Sequence, residues 1–327
     1  MSTFTPVSSL KGKSVASATQ FCRSDIDALI QLALDMKAHL DSGKTIDALH
    51  GRIMTPLFFE DSSRTLSSFC AAMMRLGGNV VNFKVETSSV NKGETLQDTV
   101  RTLDSYSDVL VLRHAKEEAV EQAMSVATHP IMNAGNGSGE HPSQALLDTL
   151  TIHAELGAVD GITIAFIGDL KKGRTVHSLF KLLTHNFSLR KVYLIAPAGL
   201  EMPAEVLHHV AMDIETLGIA IEQCASLTPE IVSDCDVLYA TRLQKERFAA
   251  STAGDTDAMA AFEASKSALV IDKARMAHAK AKMIVMHPLP RVDELSTDID
   301  DDPRSAYFRQ MRYGLFMRMA ILFSVLS

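Results

Sequence analysis

At 327 residues, with 46% hydrophobic and 22% charged side chains, the chain can form two globular domains and is neither disordered nor fibrous. Its net charge of -7 argues against general nucleic-acid binding, although it allows a local basic pocket. No apolar run is long enough to span a membrane, and the N-terminus lacks the apolar core of a secretory signal. The four cysteines lack metal-ligand spacing. We therefore expect free thiols and a cytoplasmic protein.

Strands and helices alternate along the first half of the chain. The apolar run at 52–59 predicts a strand, and the helical spacing at 66–76 predicts a helix directly after it. Polar residues at 86–93 predict an exposed loop, and glycines within 134–139 predict a flexible turn. The other predicted elements of this half are helices at 24–40, 94–105 and 143–156, and strands at 79–83, 109–112 and 131–133.

A second alternating series begins at residue 162. It starts with a strand at 162–167, a turn at 168–173 and a helix at 175–183, and the last helix is predicted at 305–326. Further strands are predicted at 192–196, 237–240 and 283–286. The pattern predicts an α/β protein of two domains, each with a mostly parallel sheet flanked by helices. We expect the domains to meet near 146–156, and ligands to bind beyond the carboxyl ends of the strands.

The most informative segment is the turn that joins the first predicted strand to its helix. It carries Ser62, Ser63, Arg64 and Thr65. The N–H groups and partial positive charge of a helix N-terminus suit a phosphate, to which hydroxyls and an arginine add further donors. Ser-x-x-Thr alone is more typical of an ordinary helix cap. The arginine and the motifs downstream favour phosphate binding.

Polar groups follow several other predicted strands. They lie at 113–114, 141–144, 174–175, 241–244 and 287–291, and they include several arginines but few acids. Such a set suits substrates rich in phosphate and carboxylate. No nucleophile–base pair stands out. The pattern therefore predicts a pocket that orients anions and polarises a carbonyl group, without a covalent intermediate.

Together these motifs resemble those of the aspartate carbamoyltransferase catalytic chain, over nearly the whole sequence. Ser-x-Arg-Thr is typical of carbamoyltransferases in general, and ornithine enzymes usually carry cysteine where Pro288 stands. The motifs are Ser-Ser-Arg-Thr at 62–65, His-Pro-Ser-Gln at 141–144, Gly-Arg-Thr-Val-His at 173–177, Thr-Arg-Leu-Gln-Lys-Glu-Arg at 241–247 and His-Pro-Leu-Pro-Arg at 287–291. Ser63 replaces the usual Thr or Gly, and Leu66 replaces a common arginine. Neither change removes a predicted contact.

The resemblance implies roles for individual residues in a carbamoyl phosphate site. Thr65, Arg113 and His141 would contact the carbonyl oxygen, and Arg113 would also contact the phosphate. Gln144 and the backbone carbonyls of Pro288 and Leu289 would hold the carbamoyl amide. The full set implied for this substrate is Ser62, Ser63, Arg64, Thr65, Ser88, Lys92, Arg113, His141, Gln144, Pro288 and Leu289. The residues implied in catalysis are Arg64, Thr65, Lys92, Arg113, His141 and Gln144.

The resemblance also implies an aspartate site and an assembly. Lys92, Arg174, Thr175, Arg242 and Gln244 would bind L-aspartate. In the family, the loop with Ser88 and Lys92 comes from a neighbouring subunit, which implies a homotrimer with shared sites. Residues 1–145, joined by 305–327, would bind carbamoyl phosphate, and 146–304 would bind aspartate. No metal or organic cofactor is implied, nor any nucleic-acid or membrane partner, while regulatory or pathway partners are compatible with the sequence.

The implied reaction transfers a carbamoyl group to the α-amine of L-aspartate, an early step of pyrimidine synthesis. Two alternatives remain: a carbamoyltransferase for another amine, and a non-catalytic scaffold that keeps the fold. Three further residues are open to simpler interpretations. We interpret His177 and His287 as structural, and we interpret Arg291 as a surface charge or as a residue that holds a loop. Asp293 and Glu294 are candidate partners for Arg291, but the sequence does not assign one.

Overall fold

The computed structural model describes residues 4–243 and 266–327, which divide into two compact units. Unit 1 consists of Met1–Leu150 and Arg312–Ser327, and unit 2 consists of Thr151–Met311. The chain passes from one unit to the other inside a helix both times. None of the helices in the described ranges has the length and apolar character needed to cross a bilayer.

The α-helices in the described ranges are between four and twenty residues long. Their bounds are α1 Arg23–Asp41, α2 Ser63–Arg75, α3 Leu96–Asp104, α4 Ala119–Met124, α5 Pro142–Leu156, α6 Arg174–Asn186, α7 Ala204–His209, α8 Ala211–Leu217, α9 Pro229–Asp234, α10 Lys273–Met276 and α11 Tyr307–Leu326. α5 and α11 each contribute residues to both units.

Unit 1 is built on a parallel sheet of four strands in the order β2-β1-β3-β4. Their bounds are β1 Ile53–Phe58, β2 Asn79–Val80, β3 Val109–His114 and β4 Ile131–Asn136. Strands β1 and β3 are aligned so that Phe58 lies beside Arg113, at their carboxyl ends. Beneath this edge the apolar strand residues pack into a buried core with α3 and α4: Leu57, Val100, Leu110, Leu112, Val120, Ala123 and Ile131.

Unit 2 is built on a parallel sheet of five strands in the order β7-β6-β5-β8-β9. Their bounds are β5 Thr163–Ile167, β6 Lys191–Ile195, β7 Ala220–Cys224, β8 Val237–Ala240 and β9 Ile284–Met286. The central strand β5 is buried throughout, because helices cover both faces of a sheet made from strand–helix–strand units. Its neighbour β8, and β9 beyond β8, run parallel to it and end at the same edge.

The structure departs from the predicted elements where exposure or glycine obscured the pattern. β7 was not predicted, because its side chains are mostly exposed and lack an alternating apolar face. The strand predicted at 79–83 is only the two residues Asn79–Val80. β4 runs on through Gly135 to Asn136, so the start of the predicted flexible turn is a buried strand. α2 begins at Ser63, which brings the hydroxyl-rich turn into the helix.

The carboxylate of Asp104 joins the end of α3 to the segment before β4. It is buried and accepts hydrogen bonds from the backbone N–H groups of Thr128 (2.9 Å) and His129 (3.1 Å) and from the Thr128 hydroxyl. Burial by itself would raise the pKa of Asp104, but these hydrogen bonds and the neighbouring His129 outweigh it and hold the pKa below its usual value. The folded protein therefore favours the ionised carboxylate.

We expect Asp104→Asn to destabilise the fold by about 1–3 kcal/mol at neutral pH, since an amide cannot accept all three hydrogen bonds. A lowered folded-state pKa contributes stability above the unfolded value near 3.8. That contribution disappears as the pH falls through the folded value, so the variant should lose less stability than the parent on acidification. Urea unfolding at neutral and acidic pH measures both effects. Asp98→Asn, an exposed change on the same helix, is the control and should cost under about 1 kcal/mol.

Candidate active site

The N-terminus of α2 presents its first turn at the carboxyl end of β1. Ser62 occupies the N-cap position, but its side chain makes no capping hydrogen bond. The hydroxyl is therefore not used as an ordinary helix cap. Ser63 and Arg64 are exposed, whereas Thr65 is buried within unit 1. Partial burial lowers the pKa of the Arg64 guanidinium, which still remains charged at neutral pH. The turn can thus offer hydroxyls, N–H groups and one cation to an anion.

Arg113 connects the ends of three strands of unit 1. Its side chain is only 10% exposed, and it projects from the end of β3. Nη1 donates to the carbonyl oxygen of Ala134 in β4 at 3.0 Å, and Nη2 donates to Oε1 of Glu60 at 2.7 Å. Glu60 follows β1 and lies two residues before Ser62. The guanidinium is therefore oriented beside the turn that opens α2.

His141 and Gln144 lie at the start of α5, just after β4. Both are buried, with 3% and 5% of their surface exposed. The segment before them is held to β4 by the Glu140 N–H, which donates to Oδ1 of Asn136 at 2.8 Å. Gln144 Nε2 donates to Oδ1 of buried Asp148 at 2.9 Å. This bond orients the amide of Gln144 so that its oxygen is the atom available to accept an N–H group.

A buried arginine of the last helix lies beneath α2. Arg318 Nη1 donates to the hydroxyl of Ser68 at 2.9 Å, and its guanidinium lies over the ring of Phe69, 5.0 Å from the centroid. Burial lowers its pKa to about 10, and the charge of Asp148 opposes that shift. Arg318 thus links α2 to the carboxylate that orients Gln144. In the sequence, Arg318 stands out only as one charged residue between Met317 and Met319. The sequence analysis did not identify it as a residue near the site.

In unit 2, two arginines follow adjacent strands. Arg174 and Thr175 open α6 after β5, and Arg242 follows β8; all three side chains are half-buried. The Thr241 N–H donates to the carbonyl oxygen of Ile167 at 2.8 Å, which brings the two strand ends together. At the same place a Cβ on Gly168 would lie 2.4 Å from the carbonyl oxygen of Thr241, so this close approach requires glycine.

Pro288 and Leu289 follow β9, the neighbour of β8. Leu289 has a left-handed backbone with φ of 56°, and the Leu289–Pro290 peptide bond is cis. Arg174, Arg242 and the Pro288–Leu289 backbone therefore lie at one edge of the same sheet, after strands β5, β8 and β9. Gln244, the remaining residue predicted at this edge, lies outside the described residues.

The loop predicted to reach a neighbouring subunit forms two short 3-10 turns, Val85–Thr87 and Ser89–Lys92. The Ser88 hydroxyl donates to the carbonyl oxygen of Val85 at 2.8 Å and accepts from the N–H of Val90, so it is engaged within the loop. Lys92 is exposed. Within the described part of the chain, no hydrogen bond joins either side chain to the strand-end residues of unit 1.

The structure assigns a partner to Arg291, which the sequence left open. Its guanidinium forms a two-bond ion pair with Asp300, with Nη2 at 2.6 Å from Oδ2, and not with Asp293 or Glu294. Asp293 instead pairs with Lys266, and Glu294 pairs with His287. His177 is buried and its Nε2 lies 2.7 Å from the carbonyl oxygen of Leu170, as the structural interpretation expected.

Two family models match the chain. The first describes the carbamoyl-P binding domain of aspartate/ornithine carbamoyltransferases and matches residues 13–154. The second describes the Asp/Orn binding domain of the same enzymes and matches residues 160–325. Together the two matches include the described strand ends of both sheets.

Solved structures and a curated relative agree with these matches. A putative aspartate carbamoyltransferase from Leishmania major is 81% identical with a TM-score of 0.92, covering 99% of this chain and 100% of that one. The Trypanosoma cruzi aspartate transcarbamoylase, solved with carbamoyl phosphate and aspartate, is 65% identical with a TM-score of 0.93, covering 98% of each chain. The multifunctional protein pyr-3 of Neurospora crassa is 47% identical over 98% of this chain, which spans only 17% of the length of that relative.

Proposed function

The chain belongs to the aspartate/ornithine carbamoyltransferase family, and from this membership we propose that it transfers the carbamoyl group of carbamoyl phosphate to L-aspartate. The products would be N-carbamoyl-L-aspartate and phosphate, in the synthesis of pyrimidines. The two parallel-sheet units confirm the predicted fold class. The chemistry of the strand ends supports the choice of substrates.

One observation carries the proposal: an uncapped helix N-terminus, with Arg64 in its first turn, lies at the same sheet edge as buried Arg113. A phosphate there would accept from the hydroxyls and N–H groups of 62–65 and from both guanidinium groups. Nearby, His141 and Thr65 would donate to the carbonyl oxygen, and the Gln144 oxygen would accept from the carbamoyl amide. We assign this substrate to a domain of residues 1–145 together with 305–327.

We assign L-aspartate to residues 146–304. Arg174 and Arg242 follow adjacent strands, and two guanidinium groups suit the two carboxylates of this substrate. Thr175, which follows Arg174 at the start of α6, would add a neutral donor, and Gln244 is assigned here from the motif alone. An ornithine side chain would instead bring a cation towards these arginines, which the like charges would oppose.

The reaction needs orientation and charge stabilisation more than a protein nucleophile. The aspartate amine attacks the carbamoyl carbon, forming a C–N bond and a tetrahedral centre whose oxygen gains negative charge. Thr65, Arg113 and His141 would stabilise that oxygen. The C–O bond to phosphate then breaks, and the leaving phosphate takes up the amine proton. No metal or organic cofactor takes part in these steps.

We further propose that the active form is a cytoplasmic homotrimer with shared sites. Lys92 is exposed on a short turn, so it is available to a neighbouring subunit. Ser88 is half-buried, and its hydroxyl would exchange its bonds within the loop for a contact with the neighbouring site. Six multifunctional relatives match this chain over only 13–17% of their length. In those proteins this region is joined to further polypeptide, so contacts with other pathway proteins are compatible with the proposal.

Phosphate release tests the proposed function directly. The purified protein would receive carbamoyl phosphate with L-aspartate, with L-ornithine, or with no acceptor. We expect release that depends on aspartate, with carbamoyl-aspartate formed in equal amount. Release only with another amine would overturn the assignment of Arg174 and Arg242. A folded protein that binds carbamoyl phosphate but releases no phosphate with any acceptor would make the scaffold function correct.

A further inference from the structure

His287 and Glu294 form a buried pair directly behind the Pro288–Leu289 backbone of unit 2. The His287 side chain is 1% exposed and that of Glu294 is 5% exposed. His287 Nε2 lies 2.8 Å from Glu294 Oε1, which also accepts from the N–H of Val292 at 3.1 Å. On the other side of the ring, the Leu289 N–H donates to His287 Nδ1 at 2.8 Å. Both nitrogens of the imidazole are therefore engaged.

The partners of His287 determine its tautomer. A backbone N–H can only donate, so Nδ1 must be the acceptor and carries no proton. An ionised carboxylate can only accept, so Nε2 must carry the proton. Burial would raise the pKa of Glu294, but the hydrogen bond from His287 and the other donors outweigh it and lower that pKa. Glu294 thus stays ionised and accepts from Nε2, while the Leu289 N–H holds Nδ1 as the acceptor.

The residue that this ring contacts has an unfavourable backbone conformation. Leu289 is the one described residue other than glycine with a positive φ, at 56°. A side chain with a Cβ adopts this left-handed region only when surrounding contacts impose it, and such positions concentrate at functional sites. The bond from the Leu289 N–H to His287 is one contact that imposes it. The peptide before this N–H includes the Pro288 carbonyl, so the same bond fixes the direction of that carbonyl.

We propose that His287 is a positioning residue that holds the Pro288 and Leu289 carbonyl oxygens in the direction needed to accept the amide hydrogens of carbamoyl phosphate, with Glu294 as the second anchor of its ring. This inference rests on the proposed function and on the contacts between these carbonyls and the amide that the family resemblance implies. It replaces the interpretation of His287 as simple scaffold, because a ring that only filled space would need no acceptor aimed at Leu289.

Two substitutions at His287 test its two hydrogen bonds one at a time. In His287→Asn the amide oxygen can occupy the place of Nδ1 and accept from Leu289, while the bond to Glu294 is lost. In His287→Gln the longer side chain can donate to Glu294 in the place of Nε2, while the Leu289 N–H loses its acceptor. Each variant loses one of the two bonds, so a purely structural role predicts similar effects in both.

We expect His287→Gln to raise the KM for carbamoyl phosphate about 10-fold, the effect of one lost hydrogen bond, and His287→Asn to raise it less than about 3-fold. Acetyl phosphate, which has a methyl group where carbamoyl phosphate has its amide, provides the control ligand. Its inhibition constant should be the same in both variants, because it has no amide hydrogens for the carbonyls to accept. Equal KM values in the two variants, or an equal loss of affinity for both ligands, would overturn the proposal.

Glu294→Met covers the case in which His287→Gln does not fold. Without the carboxylate the ring loses one of its two anchors and is oriented by the Leu289 N–H alone, so the KM for carbamoyl phosphate should rise while acetyl phosphate binding stays unchanged. Unchanged binding of both ligands would contradict the proposal. Urea unfolding of each variant shows which are folded. The activity of the parent protein distinguishes failure of the proposed function from failure of the positioning role of His287. If the parent releases no phosphate with aspartate, the proposed function is wrong, whatever the variants show.

Discussion

Arg64→Ala should lower kcat/KM for carbamoyl phosphate by at least about 10³-fold while leaving a folded protein. Arg64 lies in the first turn of α2 and is exposed, so little packing depends on it. Its guanidinium is the only charged side chain of the 62–65 turn, and the charge on the phosphate grows as the C–O bond breaks. The loss should therefore affect both binding and the chemical step. Phosphate release under saturating aspartate measures it.

Arg75→Ala is the matched control for this experiment. Arg75 is an exposed arginine in the last turn of the same helix, and removing it changes the net charge by the same amount. We expect its activity to stay within about 2-fold of the parent, with a stability change of under about 1 kcal/mol. Normal activity in Arg64→Ala would refute phosphate binding by this turn. Equal losses in both variants would point to a general charge effect.

Mixing two inactive variants should restore activity if sites are shared between subunits. Lys92→Ala and Arg64→Ala damage opposite sides of the proposed interface. A site is intact when its Arg64 comes from one variant and its Lys92 from the other, which for random trimers occurs at about one quarter of sites. We therefore expect up to about 25% of parental activity after the variants are unfolded together and refolded. Each variant alone should stay inactive.

A second mixture shows whether this rescue has the proposed cause. Arg64→Ala and His141→Ala both remove groups that, in the proposed trimer, the same chain supplies to a site. Every chain in that mixture lacks one of the two groups, so no arrangement of subunits forms an intact site. Rescue in both mixtures would indicate exchange or contamination, and rescue in neither would mean that Lys92 acts within its own subunit or that the chain does not form trimers.

Local chemistry made much of the site predictable. The hydroxyls and the arginine at 62–65 are adjacent in sequence, so their placement at a helix start follows from the apolar pattern on either side. Alternating apolar segments likewise indicated parallel sheets, and in such sheets the residues after each strand meet at one edge. The family followed from the motifs and is confirmed by the two family models. The individual residue roles and the domain assignments stay predictions.

Contacts between distant residues could not be predicted in this way. Arg318 donates to Ser68, 250 positions earlier, and nothing local to either residue indicates the other. The sequence left the partner of Arg291 open between nearby carboxylates, whereas the structure pairs the guanidinium with Asp300, nine positions further along the chain. β7 is an edge strand with exposed side chains, so hydrogen bonding to β6 and not an apolar pattern defines it.

The sequence by itself determined the family, most of the order of strands and helices, and the turn at 62–65 with its hydroxyls and arginine, because these depend on residues close together along the chain. Only the tertiary structure decided that the Ser62 hydroxyl is not a cap, that Arg113 is held by Glu60, and that His287 faces Leu289 with an unprotonated nitrogen. Those features depend on which buried groups meet when the sheets pack. A buried polar atom takes whichever partner the fold brings within about 3 Å, since leaving it without one costs more than the bond gains.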